Sequence, residues 1–309
     1  MHKLVKICVI GNGVHSKRIQ RILKSKKLKF FIYKPKSKQN YKNENLNILS
    51  KYDIFFIISP NGTHYHYIKS LYKEGYIFCE KPPTNNIKDL KRLKKINSNK
   101  IYYNFNFRFS KIAEVLKKRD KYKLGKLIYT NIISGHGLAL KKEYKLSWRS
   151  DKEKCPKGVF EMLSIHSIDL LNHIFKITNF SKPYLMNLSN LGNSYDNSHI
   201  SLKINNKSFA EIFSSYTSPV INKKIFIFEN GLVEDNDSII TIKGPTLNFD
   251  KDNFLKLPKL IKRIKVNQKK DYTQSLVKSI DFFLNTISKK KKFSKKENLG
   301  TLKINEIIL

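Results

Sequence analysis

Two short stretches of this 309-residue chain carry residues whose types and spacing suit ligand binding at the ends of buried strands. In "YIFCEKPPT" (76–84), Tyr76 to Cys79 read as a buried strand that ends on opposite charges, Glu80 and Lys81, followed by Pro82 and Pro83. The prolines forbid both a following helical turn and a central strand. In an open parallel sheet, ligands bind beyond the carboxyl ends of the strands, so charges delivered there face a crevice rather than a core. In "GNGVHS" (11–16), glycines follow a strand and open a helix, as in a dinucleotide fingerprint. Gly11 allows the tight turn and Gly13 the approach of a pyrophosphate to the helix N-terminus, with Asn12, Val14 and His15 around it. Ser16 replaces the third glycine and is small enough to keep helix and strand close.

The end of the second strand discriminates between cofactors. An NAD site usually carries Asp or Glu there for the ribose 2′-hydroxyl, whereas "FFIYKPKS" offers Lys34 and Lys36. The missing acid favours NADP over NAD and leaves NAD open.

These motifs need a frame. Val5 to Ile10, "LKFFIY", "YDIFFIIS" and "YIFC" are strands apolar throughout, alternating with helical patterns, the second closed by Gly75. That alternation predicts a Rossmann-type α/β domain, a doubly wound parallel sheet, over residues 1–107. The remaining 108–309 read as an α+β domain. It has helices near Ile112–Lys118, across "GVFEMLSIHSIDLLNHIF" and over Tyr272–Ile287. Between these lie "SHISLKI", "SFAEIFSSYT", "KKIFIFE" and "SIITIKG", a mainly antiparallel sheet.

With "SPNGTHYHYIKSLYKEG" between the two motifs, the chain resembles the Gfo/Idh/MocA family of oxidoreductases, named for glucose–fructose oxidoreductase and inositol dehydrogenase. The resemblance rests on Pro60, Asn61 and His64 after one strand, and on Glu80, Lys81 and Pro82 after the next. It continues through "FNFRFS", "LGKL", "SWR" (147–149) and the His166–Asp169 pair, essentially the full length. It implies a nicotinamide cofactor held by Gly11–His15, Lys34, Ser59, Pro60, Asn61, His64, Glu80 and Lys81. Glu80 would lie near the nicotinamide ribose, and Lys81 would reach the reacting oxygen after a turn set by a cis Lys81–Pro82 bond. Lys81 and His166 are the implied catalytic pair, with Arg108, Trp148, Arg149 and Asp169 beside the substrate, a sugar or nucleotide sugar. A homo-oligomer is also implied.

One position departs from the family. The acid usually found four residues before the histidine is Met162. Glu161, five residues before His166, would sit roughly 140° around an α-helix, away from it. Asp169, three residues after, shares its face and is a candidate to orient the imidazole. The missing acid keeps open a non-catalytic, cofactor-binding sensor or scaffold, and the family also includes reductases of C=C or C=N bonds.

Composition excludes less than its numbers suggest. A formal charge of +37 would ordinarily raise nucleic acid as a partner. Yet Lys, Asn, Ile, Phe and Tyr are enriched together while Ala is nearly absent, the mark of an A/T-rich coding sequence; only "SKKKKFSKK" (288–296) is a dense block. Nucleic acid is therefore not the expected partner. No histidine or cysteine spacing suits a metal, and Cys8, Cys79 and Cys155 read as buried thiols. No run of about 18 apolar residues spans a membrane, and the N-terminus enters a strand without a signal-peptide layout, so a cytoplasmic enzyme is expected. Surface-glycan biosynthesis is one setting for such a substrate.

Overall fold

The computed structural model describes residues 5–35, 46–245 and 249–309. Strands with no polar face need cover on both sides, and the first unit provides it. It runs β1 (Ile7–Ile10), α1 (Val14–Ser25), β2 (Phe30–Tyr33), β3 (Ile54–Ile57), α2 (His64–Leu71), β4 (Tyr76–Glu80), α3 (Ile87–Ile96) and β5 (Ile101–Asn104). The five strands pair in parallel in the order β2-β1-β3-β4-β5. All four residues of β1, of β3 and of β5 are buried. Cys8 and Cys79 lie inside this sheet; like Cys155 they are buried, and none of the three forms a disulfide.

The second unit begins with α4 (Lys111–Lys117), β6 (Leu127–Gly135), α5 (Ile165–Phe175), β7 (Ile177–Phe180) and β8 (Tyr184–Met186). It continues through β9 (Asn197–Ile204), β10 (Ser208–Ser215), β11 (Ile221–Phe228), β12 (Gly231–Asp235), β13 (Ile239–Gly244) and β14 (Lys259–Lys265). Eight strands follow one path, β14-β13-β12-β11-β6-β10-β9-β7, with β8 added beside β9. Only β6 and β10 pair in parallel; the other pairs are antiparallel. Ile132, Ile200, Leu202, Ala210, Ile212 and Phe226 alternate onto the buried face, and Phe175 at the end of α5 packs near Phe226 and Phe228.

Two helices close the chain, α6 (Gln268–Ser288) and α7 (Lys295–Ile308). Set beside the expected division into 1–107 and 108–309, the compact units group residues 277–307 with 1–105 in the first, and 106–276 in the second. The physical reason is aromatic. Phe56, Phe78 and Tyr102 stand side by side on β3, β4 and β5, and Phe283 meets all three rings at centroid distances of 5.4–5.9 Å. Phe293 stacks on Phe283 at 5.4 Å and 7°. Burying these rings outweighs the dense lysines around them.

Candidate active site

The turn after β1 is built for close backbone approach. Gly11 has φ +114°, and a Cβ there would stand 2.4 Å from the Ile58 carbonyl oxygen, so neither the conformation nor the space admits a side chain. Ser16, fully buried, donates its hydroxyl to the Gly11 carbonyl at 2.8 Å and so fastens the first turn of α1 to the loop. Gly13 caps α1 without a side-chain cap, no acid lies in the first turn, and a Cβ on Gly13 would meet nothing within 4 Å. Open space over an uncapped, acid-free helix N-terminus fits the pyrophosphate of a dinucleotide. Asn12 and Val14 are exposed beside it, as is Lys34 after β2; Lys36 lies outside the described residues.

The β3 and β4 turns are tied to one another. Thr63 donates its hydroxyl to the Pro60 carbonyl at 2.8 Å and lies 2.6 Å from the Ser59 hydroxyl, which holds the Pro60–Asn61 turn. His64 is wholly buried, with Nε2 2.9 Å from the Ser59 carbonyl and Nδ1 2.8 Å from the Pro82 carbonyl. Burial pulls its pKa below the ordinary value, against the two carbonyls and Glu80, which favour the cation. His64 thus braces the turn that follows Lys81 and turns no ring nitrogen outward. The Lys81–Pro82 bond is cis, as expected.

Glu80 is the centre of a hydrogen-bond chain. Its Oε1 accepts from Asn104 Nδ2 at 2.6 Å and lies 2.8 Å from His15 Nε2, and its Oε2 accepts weakly from the Lys81 backbone at 3.3 Å. Burial alone would raise its pKa; the charge and hydrogen bond of His15, the Asn104 bond and the Lys81 charge outweigh it, and the carboxyl is held below its usual range. Asn104 in turn accepts from Ser279 of α6 at 2.6 Å, and Ser279 lies 2.8 Å from the Tyr102 hydroxyl. Asn305 of α7 clamps the backbone of Thr84, three residues past Lys81, accepting from its N–H at 2.9 Å and donating to its carbonyl at 3.0 Å.

In the second unit, Asp169, which shares a helix with His166, is gripped by Arg108. Both its oxygens accept from Arg108, at 2.8 Å and 2.5 Å, and the pair is almost withdrawn from water. Burial raises the Asp169 pKa, opposed by the Arg108 charge and hydrogen bonds. His166 is half-buried and stacks on Phe107, 4.5 Å between centroids and 22° between planes. The segment Phe160–Ser164 is a π-helix, with Ile165 N–H bonded to the Phe160 carbonyl, so the 140° separation drawn for Glu161 from an α-helical repeat does not hold across it. Glu161 is fully buried; the pKa of the nearby Tyr216 is raised chiefly by its own burial, with Glu161 a smaller contribution. Arg149 lies over the Trp148 ring at 4.5 Å; His136 and Tyr216, also near its charge, have ring centroids 5.0 Å apart.

The structure therefore joins His15, Ser59, His64, Glu80 and the Lys81 turn within the first unit, and Arg108 with Asp169, and Trp148 with Arg149, within the second. Asn104, Ser279 and Asn305 had no motif to announce them. Only Asn104 left a trace, since it ends β5 as Glu80 ends β4, in register.

Residues 13–101 match the profile of an oxidoreductase family with an NAD-binding Rossmann fold, Gfo/Idh/MocA. No protein of curated function matches the chain. Solved structures share its fold along nearly the whole length. A candidate NADPH-dependent oxidoreductase from Desulfitobacterium hafniense is 14% identical, with a TM-score of 0.79, over 100% of this chain and 94% of its own. An oxidoreductase from Agrobacterium radiobacter, in complex with NAD+, L-tartaric acid and magnesium, is 14% identical with a TM-score of 0.77, covering 98% and 95%. Levoglucosan dehydrogenase with NADH and levoglucosan is 13% identical with a TM-score of 0.79, covering 98% and 96%. At such identities these similarities establish the architecture, and the profile match establishes the kind of nucleotide domain. Over residues 13–101 the chain is thus similar to the NAD-binding Rossmann domain of the Gfo/Idh/MocA oxidoreductases.

Proposed function

We propose that the protein is a cytoplasmic enzyme moving a hydride between a nicotinamide cofactor and the secondary hydroxyl or ketone of a sugar or nucleotide sugar. The observation that carries this reading is the end of β4, where the Glu80 network, the His64 brace and the Asn305 clamp surround a single turn bearing Lys81. That much fixation around one lysine suits a catalytic group, because preorganised charge acts without reorganisation during reaction. The cofactor, when bound, takes or returns the hydride. Lys81 supports alkoxide character on the reacting oxygen, and His166 takes the hydroxyl proton in oxidation and returns it in reduction. Glu80 accepts from the nicotinamide ribose, Gly11 to His15 hold the pyrophosphate, and Trp148 and Arg149 contact the substrate. NADP is preferred over NAD, on the exposed Lys34 and the lack of an acid after β2. Levoglucosan, a sugar derivative, bound to a protein of the same fold supports the substrate class.

The test pairs fluorescence titration of NADPH and NADH with turnover on sugars and UDP-sugars. Lys81→Ala is expected to lower kcat about 100-fold or more while cofactor affinity stays within about threefold. Unchanged turnover in Lys81→Ala sinks the mechanism. Tight cofactor binding without turnover on any substrate favours the second reading, a non-catalytic sensor, which Met162 in the acid's place supports. A homo-oligomer would use the open sheet face, where Phe209, Tyr129 and Ile227 stand in one row across β10, β6 and β11; a monomer mass by light scattering would refute it.

A further inference from the structure

The segment 249–265 leads into the edge strand β14 and presents an unusual surface. Its start is an ordered turn: Phe249 bridges Leu255, Asp250 N–H donates to the Phe254 carbonyl at 2.9 Å, and Asp250 Oδ1 accepts from the N–H groups of Asp252 and Phe254, both at 2.9 Å. From this frame Phe254 is 71% exposed, Leu255 81% and Leu257 89%, with Phe249, Leu260 and Ile261 also exposed. Large apolar groups clustered this way on an ordered element mark a contact surface.

Basic side chains are interleaved with them. Lys251, Lys256, Lys259, Lys262, Arg263 and Lys265 are all exposed, against two acids, Asp250 and Asp252. None of the six forms an ion pair among the described residues. The same lysines argue against a second copy of the chain as the occupant, since lysines on an edge strand block strand addition. Apolar groups that enter the acyl boundary, ringed by cations that meet phosphates, match an anionic bilayer surface in both respects.

We propose that residues 249–265 dock the protein reversibly on an anionic phospholipid surface, with Phe254, Leu255 and Leu257 inserted and the surrounding lysines on the headgroups. This is surface attachment, since no described helix is long and apolar enough to cross a membrane, and it is independent of the reaction proposed above.

Cosedimentation of the full chain with phosphatidylcholine vesicles, with and without phosphatidylglycerol, tests it. Binding is expected only to the phosphatidylglycerol vesicles and weakens as salt rises. The double variant Leu255→Ser/Leu257→Ser, with unchanged circular dichroism, is expected to bind about tenfold less well, because both leucines lose their apolar transfer. Lys256→Glu/Lys259→Glu should lose binding comparably. The proposal is overturned by no vesicle binding, by equal binding of neutral vesicles, or by unchanged binding of the leucine variant, which would assign attachment to diffuse charge. It is equally overturned if light scattering finds the wild type oligomeric and the leucine variant monomeric, since a second copy would then cover the patch.

Discussion

Asp169 and Arg108 are held by two hydrogen bonds at a site nearly closed to water, where an unpaired charge is costly. Truncating Arg108 leaves the carboxylate buried without its cation. Arg108→Ala is therefore expected to lower unfolding stability by about 3–5 kcal/mol in urea titration. If Arg108 instead serves the substrate, the variant will raise KM and leave the urea midpoint unchanged. A three-residue spacing put Asp169 on the face of His166, and that much was legible. The partner it takes stands 61 positions earlier, and no local pattern encodes a bond across that distance. Glu80 makes the opposite case. Its place at a strand end announced a functional carboxylate, and the fold added the partners that keep it ionised, His15 and Asn104.

At the scale of elements, the parallel strands and the first helices were plain because hydrophobic runs and glycines mark them. The C-terminal helix α7 was not. Its sequence mixes lysines and asparagines among modest apolar positions, and its buried residues acquire meaning only against the distant segments they meet. Yet it holds the Thr84 backbone through Asn305, whose side chain is fully buried. Asn305→Ala removes both bonds and leaves the Thr84 N–H and carbonyl inside without partners. A loss of about 2–4 kcal/mol in unfolding stability is expected, with turnover falling more than cofactor affinity because the Lys81 turn loosens. Equal losses in both would show that the helix supports the unit generally. The π-turn at Phe160–Ser164 is a second such case: a helical wheel assumes a constant repeat, and one widened turn re-aims every side chain before it.

For the molecule as a whole, two of the buried groups in the first unit respond to acid in the same direction. His64 has a folded pKa below its ordinary 6.5, chiefly through burial, so the unfolded chain takes up a proton that the folded one refuses. The stability it contributes is full above pH 6.5 and is lost as pH falls below that value. Glu80, held below its ordinary 4.5, contributes above pH 4.5 and loses that contribution in more acidic solution. Thermal unfolding is thus expected to weaken from neutral pH downward, and His64→Gln should flatten the part of the curve between about pH 6.5 and 5. An unchanged slope in that variant would show that other groups set it.

The sequence by itself determined that there is a nucleotide domain, where its glycine turn lies, and that a strand carries Glu80 and Lys81 to its end. These are local facts, written in hydrophobic period, glycine and proline. The tertiary structure alone decided which groups hold that end in place, that residues 277–307 complete the first unit, and that Asp169 answers to Arg108. Those depend on contacts between segments far apart in the chain, made where aromatic burial and the satisfaction of buried polar groups leave few alternatives.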